Sequence, residues 1–286
     1  MKNIGKLILT LTVAIMCGGV CMACYSSNDL KEISSNLKDS SRKVTINRTV
    51  GYFSKIESST PADIKFVQGK KNSVRIVGSK SLVDNLQVEV KGETLVLSSK
   101  NKGGNWFVSG TKELNVYVTS PDLTALTLRG SGDFETQTNI DTDNMSVSIM
   151  GSSDVDFRDV VCDNITFEVR GSGDIEAKSI DCNAAVVSIY GSGDVSVDNL
   201  SAKTADVSVR GSGDVDLNLR GVAKTRAAVY GSGDVDLNFI NCGSAECQTV
   251  GSGDFELKGN LREFSKSVKG SGYIDTKGLR VGGTLR

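Results

Sequence analysis

Histidine is absent from this chain of 286 residues. Its absence excludes Ser-His-Asp and Cys-His catalysis and every metal centre that depends on imidazole. Proline is nearly absent as well: Pro61 and Pro121 are the only two, and neither lies among the regular repeats that follow. Proline removes a ladder donor, so a region without it suits strands paired on both sides. Phosphate-binding glycine loops, GxGxxG or GxxxxGK[ST] set between a strand and a helix, are not present. Charge of one sign is lacking too. The 33 basic and 34 acidic residues nearly cancel, and removing residues 1–24, which carry two lysines and no acid, leaves 31 basic against 34 acidic. A mixed, near-neutral surface argues against nucleic acid as a partner.

What the chain does have is glycine in a fixed rhythm. GSGD or a close variant begins at Gly130, Gly151, Gly171, Gly191, Gly211, Gly231, Gly251 and Gly270, with gaps of 21, 20, 20, 20, 20, 20 and 19 residues. A constant period in this range marks a solenoid in which each repeat is one coil. The segments between motifs alternate apolar and polar residues, as in Val215-Asp216-Leu217 and Val235-Asp236-Leu237. That is strand periodicity, and twenty residues are too few for a helix-containing repeat of the common kinds. The sequence therefore predicts an all-β fold: a single-stranded, right-handed parallel β-helix of about 20 residues per coil, equivalent residues of neighbouring coils lying roughly 4.8 Å apart.

Columns follow from the period. Four residues after each motif glycine stand Phe134, Val155, Ile175, Val195, Val215, Val235, Phe255 and Ile274, all apolar and so facing the core. Two residues further on stand Thr136, Phe157, Ala177, Val197, Leu217, Leu237, Leu257 and Thr276, polar only at the ends. Leu128, Ile149, Val169, Ile189, Val209 and Val229 form another inner stack. The glycine motif reads as a repeated corner, where glycine reaches positive φ and Ser and Asp bond nearby turn amides.

Three outward features carry a functional reading. The motif aspartates form a ladder of like charge, and Asp174, Asp194, Asp214 and Asp234 in its centre are candidate ligands for calcium. Calcium-binding β-rolls, however, repeat every nine residues, and carboxylates satisfied by turn amides need no metal. No cofactor is expected beyond that calcium reading. The residue before each motif runs Arg170, Tyr190, Arg210, Tyr230 through the centre, an alternation suited to cation–π stacking. This strip either binds sugars or peptides or knits neighbouring coils together. Trp106, the only tryptophan, lies in the non-repeated loop 100–110 beside Phe107, either as a sugar-stacking platform or as part of a cap on the coil end. Stacked carboxylates also meet the roughly 5 Å separation of a retaining glycosidase, but any β-helix meets it automatically, so separation alone is unspecific.

The N-terminus carries an address. Lys2 and Lys6 precede the apolar run Leu7–Met16, then small residues and Cys17, Cys21 and Cys24. Residues 1–24 read as a secretory signal, too short to span a membrane. Cleavage near Ala23 and lipidation of Cys24 are both open, Cys21 standing where a lipoprotein signal has an aliphatic residue. Residues 25–44 read as a polar linker, 45–128 as irregular N-terminal β coils, and 129–286 as the regular β-helix with a C-terminal cap. Within 45–128, Pro61-Ala62-Asp63-Ile64 reads as a degenerate corner. Cys162, Cys182 and Cys242 share a column, the first two in adjacent coils, and Cys242 and Cys247 lie close in sequence; export would permit disulfides in either pair, while for at least one pair the default reading is unbonded packing of small buried side chains.

Phe53-Ser54-Lys55-Ile56, Ala62-Asp63-Ile64-Lys65-Phe66-Val67-Gln68-Gly69, Leu95-Val96-Leu97, Val116-Tyr117-Val118-Thr119-Ser120-Pro121-Asp122-Leu123 and the serial GSGD corners, in that order, resemble the auto-transporter adhesin head domain (GIN domain) family, widespread in Bacteroidetes. The resemblance covers roughly residues 45–275. It implies a right-handed β-helix exported to the periplasm, outer membrane or surface of a Gram-negative bacterium, and it supplies no catalytic or ligand residues. The expected function is a non-catalytic binding, adhesin-like or structural module for a cell-surface or extracellular glycan or protein, touching membrane only through a lipid on Cys24. A polysaccharide-degrading β-helix enzyme and a calcium-stabilised surface spacer are the alternatives.

Overall fold

Strict alternation forces one face of every strand inward, and the computed structural model, which describes residues 42–101, 106 and 113–282, shows where those faces meet. The chain enters through β1 (Lys43–Arg48), β2 (Lys55–Ser58), β3 (Asp63–Gln68), β4 (Ser73–Ser79), a short helix α1 (Lys80–Asn85), β5 (Leu86–Lys91), β6 (Thr94–Ser99) and β7 (Leu114–Ser120). The regular part then gives two strands per coil. These are β8 (Ala125–Leu128), β9 (Phe134–Thr136), β10 (Ile140–Asp141), β11 (Asn144–Ile149), β12 (Val155–Val161), β13 (Asn164–Val169), β14 (Ile175–Asp181), β15 (Ala184–Ile189), β16 (Val195–Ser201), β17 (Thr204–Val209), β18 (Val215–Arg220) and β19 (Lys224–Val229). In the last coils the two merge into the long strands β20 (Val235–Gly251) and β21 (Phe255–Gly270), followed by β22 (Ile274–Val281).

The strands stack in register. Val155 pairs with Ile175, Ile175 with Val195, Val195 with Val215, Val215 with Val235 and Val235 with Phe255, all parallel. A second ladder joins Ile149, Val169, Ile189, Val209, Val229 and Thr249. The fold is thus a parallel β-solenoid of about 20 residues per coil, and a period in sequence becomes a column in space. Every member of the column Phe134 to Ile274 is at most 1% exposed. Full burial of one such side chain is worth about 1.5–3 kcal/mol, and each depends on the coil above and below for its cover. Phenylalanines stack inside the first coils: Phe66, Phe134, Phe157 and Phe167 follow one another with ring centroids 5.7–6.1 Å apart.

The N-terminal coils do not stack in chain order. β2 lies between β6 and β8, with Ile56 opposite both Leu95 and Leu126, and β3 lies between β7 and β9, with Ile64 opposite both Val116 and Phe134. The coil built from β2 and β3 is therefore sandwiched, and the later coil of β6 and β7 is the outer one. Antiparallel strands finish this end: β1 on β4, β4 on β7, and β5 on β6. Leu82 and Val83 of α1 are buried against them. The corner between β2 and β3 stacks on the first glycine corner, Thr60 over Gly130 and Ala62 over Gly132.

The reason for glycine at the corners differs from the one its sequence suggests. Among the motifs, only Gly251 and Gly270, at the last two corners, have positive φ. In the rest the constraint is proximity: a Cβ on Gly171, Gly191 or Gly211 would lie 1.9–2.0 Å from the carbonyl oxygen of the corresponding glycine one coil earlier. Rung spacing leaves no room for a side chain on that side. Gly211→Ala should therefore lower the melting temperature by roughly 10 °C, on the order of 3 kcal/mol. Gly221→Ala makes the comparison: its φ is +66° but nothing lies within 4 Å of the added methyl, so the loss should be a few degrees, about 1 kcal/mol. Circular-dichroism melts of the two variants check the order; equal losses would show that the carbonyl contact is not the constraint.

Candidate functional site

The corner aspartates form a continuous hydrogen-bonded ladder. Oδ1 of each accepts the backbone N–H of the equivalent residue one coil later: Asp154 from Asp174 at 3.0 Å, Asp174 from Asp194 at 2.8 Å, Asp194 from Asp214 at 2.7 Å, Asp214 from Asp234 at 2.7 Å and Asp234 from Asp254 at 2.8 Å. Asp63 starts the ladder by accepting from Asp133, and Tyr273 ends it by donating its N–H to Asp254 without offering a carboxylate in return. The compensating amides thus come from the next coil, not from the aspartate's own turn. Each carboxylate gains a charge-assisted bond, which offsets the repulsion of its neighbours.

Beside the ladder runs a second acidic column, Glu176, Asp216, Asp236, Glu256 and Asp275, and the two columns line an open groove of about 690 Å³. Partial burial pushes the Asp236 carboxyl above its ordinary value, and the charges of Glu256 and Asp216 push the same way. Asp133 is raised as well, first by burial, against the opposing hydrogen bond from the Asp154 amide. Among the described residues, no group of three or more acids or cysteines is disposed to hold a metal ion. Asp174, Asp194, Asp214 and Asp234 form one edge of the acidic groove, each with one oxygen accepting a backbone N–H.

On the other side of the glycine corner stands the strip of arginine and tyrosine, assembled as the alternation predicts. The Arg170 guanidinium lies 5.2 Å from the Tyr190 ring centroid, and Arg210 lies 5.4 Å from Tyr190 and 5.2 Å from Tyr230. Arg210 Nη1 also donates to the Tyr190 hydroxyl at 3.3 Å. Tyr190 and Tyr230 are nonetheless 44% and 46% exposed. Stacking occupies the ring faces, so the strip presents edges outward: guanidinium N–H groups and phenol hydroxyls. It can donate hydrogen bonds to a ligand lying across the coils, whereas the central Tyr190 ring has guanidinium on it from both neighbouring coils. Arg170 is additionally paired with Glu168. Ser188, Ser208 and Ala228, two residues before Tyr190, Arg210 and Tyr230, are small and half-buried.

Trp106 is partly buried and packed against the hydrophobic core; Phe107 beside it lies outside the described residues. The secretory segment 1–24 with Cys24, and residues 25–41 of the polar linker, also lie outside them. The structure adds a contact with no sequence signal. Arg75 sits 3.8 Å over the Tyr117 ring, because antiparallel pairing of β4 with β7 sets these residues opposite one another. The four cysteines beyond the signal segment are free thiols, and Cys242 donates to the Leu219 carbonyl at 3.3 Å rather than reaching Cys247.

Comparison with known proteins gives a consistent picture. The sequence profile of the family described as "Putative auto-transporter adhesin, head GIN domain" matches residues 52–229 and 220–284. No curated protein matches the sequence. The solved structure of a "putative lipid binding protein" from Parabacteroides distasonis is similar with a TM-score of 0.73 and 26% identity, over 82% of this chain and 96% of that one. A "putative adhesin" from Bacteroides fragilis is similar with a TM-score of 0.62 and 27% identity, over 82% and 97%. Another "putative adhesin", from Parabacteroides merdae, shares the fold at a TM-score of 0.70 and 18% identity, over 82% and 95%.

Two expectations test the groove. A carboxyl whose folded-state pKa is raised favours folding most when protonated, below its unfolded value near 3.9, and loses that contribution as pH rises through the raised value. Asp236→Asn should accordingly raise the melting temperature by a few degrees at pH 7 and leave it unchanged at pH 3, as thermal melts at both pH values will show. Because backbone amides already satisfy the ladder, excess EDTA should leave the melting temperature where it was; a drop reversed by calcium would put a cation on the aspartates.

Proposed function

The chain belongs to the adhesin head GIN-domain family, and from that membership we propose that it is an exported envelope protein that holds an extended glycan or protein along its coils without transforming it. The observation that carries this reading is the Arg170–Tyr190–Arg210–Tyr230 strip, which repeats donor chemistry coil after coil instead of concentrating it at one centre. A repeating surface suits a repeating or extended ligand, since each coil contributes a modest contact and the sum gives the affinity. The family and the similar solved structures are described as adhesins or binding proteins rather than enzymes. The lack of histidine removes the commonest general base. Membership and the Lys2, Lys6 and Leu7–Met16 pattern support export to the envelope, with anchoring through Cys24 as the lipidated form.

The Parabacteroides relative described as lipid-binding raises a lipid as a ligand for this chain as well. The groove here is lined by carboxylates, which does not suit an acyl chain, so a polar polymer is the better occupant of this molecule. The direct test incubates the purified protein with a panel of bacterial and host polysaccharides and measures both retention and the release of new reducing ends. The expected result is retention on particular polymers without release. Arg210→Ala and Tyr190→Ala should each weaken retention about tenfold, or about 1.4 kcal/mol, while the lost stacking lowers the melting temperature by only a few degrees and leaves the protein folded at the assay temperature. New reducing ends would show a polysaccharide-degrading enzyme instead.

A further inference from the structure

Cys162 and Cys182 occupy equivalent positions in adjacent coils, both facing inward and only 8% and 9% exposed. The backbone around them is in parallel register: Val161 pairs with Asp181, the Cys162 N–H donates to the Asp181 carbonyl at 3.0 Å, and the Cys182 N–H donates to the Ser201 carbonyl at 2.9 Å. Neighbouring strands lie about 4.8 Å apart, inside the 4.4–6.8 Å range of Cα separations that a disulfide spans. The shared register sets the two side chains in one inward-facing column, one directly above the other. No other pair in the described chain meets these conditions. The next two coils carry Ala202 and Val222 in this column, which sets Cys242 three coils away from Cys182, and Cys247 sits in the inner row of the other ladder, on β20.

We propose that Cys162 and Cys182 are oxidised to a disulfide that staples two adjacent coils of the solenoid when the protein enters an oxidising compartment. The compartment rests on the export reading above; the pairing rests on geometry alone. The oxidant is a disulfide-bonded molecule of the thiol-exchange class. The Cys162 thiolate attacks one of its sulfurs, and the other departs as a thiolate, leaving a mixed disulfide. Cys182 then releases its proton and attacks the Cys162 sulfur, displacing the rest of the oxidant. One S–S bond has formed in the protein, both thiol protons have left, and the two electrons reside in the oxidant, now a pair of thiols.

Either sulfur can open the exchange, and the steps balance in the same way with the two cysteines interchanged. The link encloses a single coil of 19 intervening residues, and its stabilisation comes chiefly from restricting that coil in the unfolded chain.

The test uses the full chain in two samples, one purified and incubated with oxidised glutathione, the other recovered from the envelope fraction of producing cells. Free thiols are capped with N-ethylmaleimide in denaturant. Disulfides are then reduced and labelled with iodoacetamide, and both labels are mapped by mass spectrometry. The expected pattern is iodoacetamide on Cys162 and Cys182, N-ethylmaleimide on Cys242 and Cys247, and a monomer without reductant. Reduction should lower the melting temperature by several degrees, and the C162A/C182A variant should lose that response. Cys182→Ala should leave Cys162 carrying one glutathione, because the resolving sulfur is gone. N-ethylmaleimide on Cys162 and Cys182 after oxidation overturns the proposal. Oxidation in the tube with reduced thiols in the envelope sample overturns the physiological staple and the oxidising compartment, and leaves the pairing itself standing.

Discussion

The distance between one coil and the next governs this molecule. Parallel ladders fix that distance, and at the glycine corners it brings a carbonyl oxygen to where a Cβ would otherwise stand. Almost everything else is arranged around the same repeat. Apolar columns form because identical positions superimpose. The aspartate ladder forms because the amide one coil later arrives within reach of the carboxylate below it. The arginine–tyrosine strip forms because a ring and a guanidinium at successive coils lie at stacking distance. A change of spacing that relieved any one of these contacts would break the others.

The ladder also shows how a solenoid tolerates charge. Seven corner aspartates in succession would ordinarily be costly, yet each oxygen row is matched by a row of N–H dipoles from the next coil. The second acidic column lacks such a row. At Asp236 the result is visible as a carboxyl held above its usual value by burial and like charge. Positive and negative columns are kept apart by the bare glycine corner, so the surface has a basic, aromatic side and an acidic side although the net charge is close to zero.

Where the chain repeats, sequence and space are the same list, and that part is legible. Phe134 to Ile274, Leu128 to Val229 and Arg170 to Tyr230 are columns in both. Asp63 and Ile64 were recognisable as a corner because Pro61-Ala62-Asp63-Ile64 matches the end of the Gly-Ser-Gly-Asp-Ile motif. The sandwiched coil was not recognisable: Ile64 pairs with Phe134 across an inserted hairpin and an outer coil, and no repeat in residues 69–120 signals that detour. The Arg75–Tyr117 contact was hidden for the same reason. The role of the corner glycines was misread because composition identifies glycine without saying whether torsion or proximity requires it. The alternation of arginine and tyrosine was visible, but not that stacking would use up ring faces and leave edges for a ligand. The second acidic column was open to view two places after the corner aspartates, where every residue but Ser196 is acidic.

The displaced order of the N-terminal coils has a mechanical consequence. In a solenoid stacked in chain order, tension applied at one end peels coils away singly, each opened like a zip. Here a pull arriving at Lys43 can strip β1 from β4, but the next segment, β2 and β3, is held on both edges by neighbours that come later in the chain. Extracting it requires two parallel ladders to slide past their partners at once, with the load spread across all of their hydrogen bonds. The N-terminal end is thus built as a clamp, the geometry in which a tether bears the greatest force before it yields.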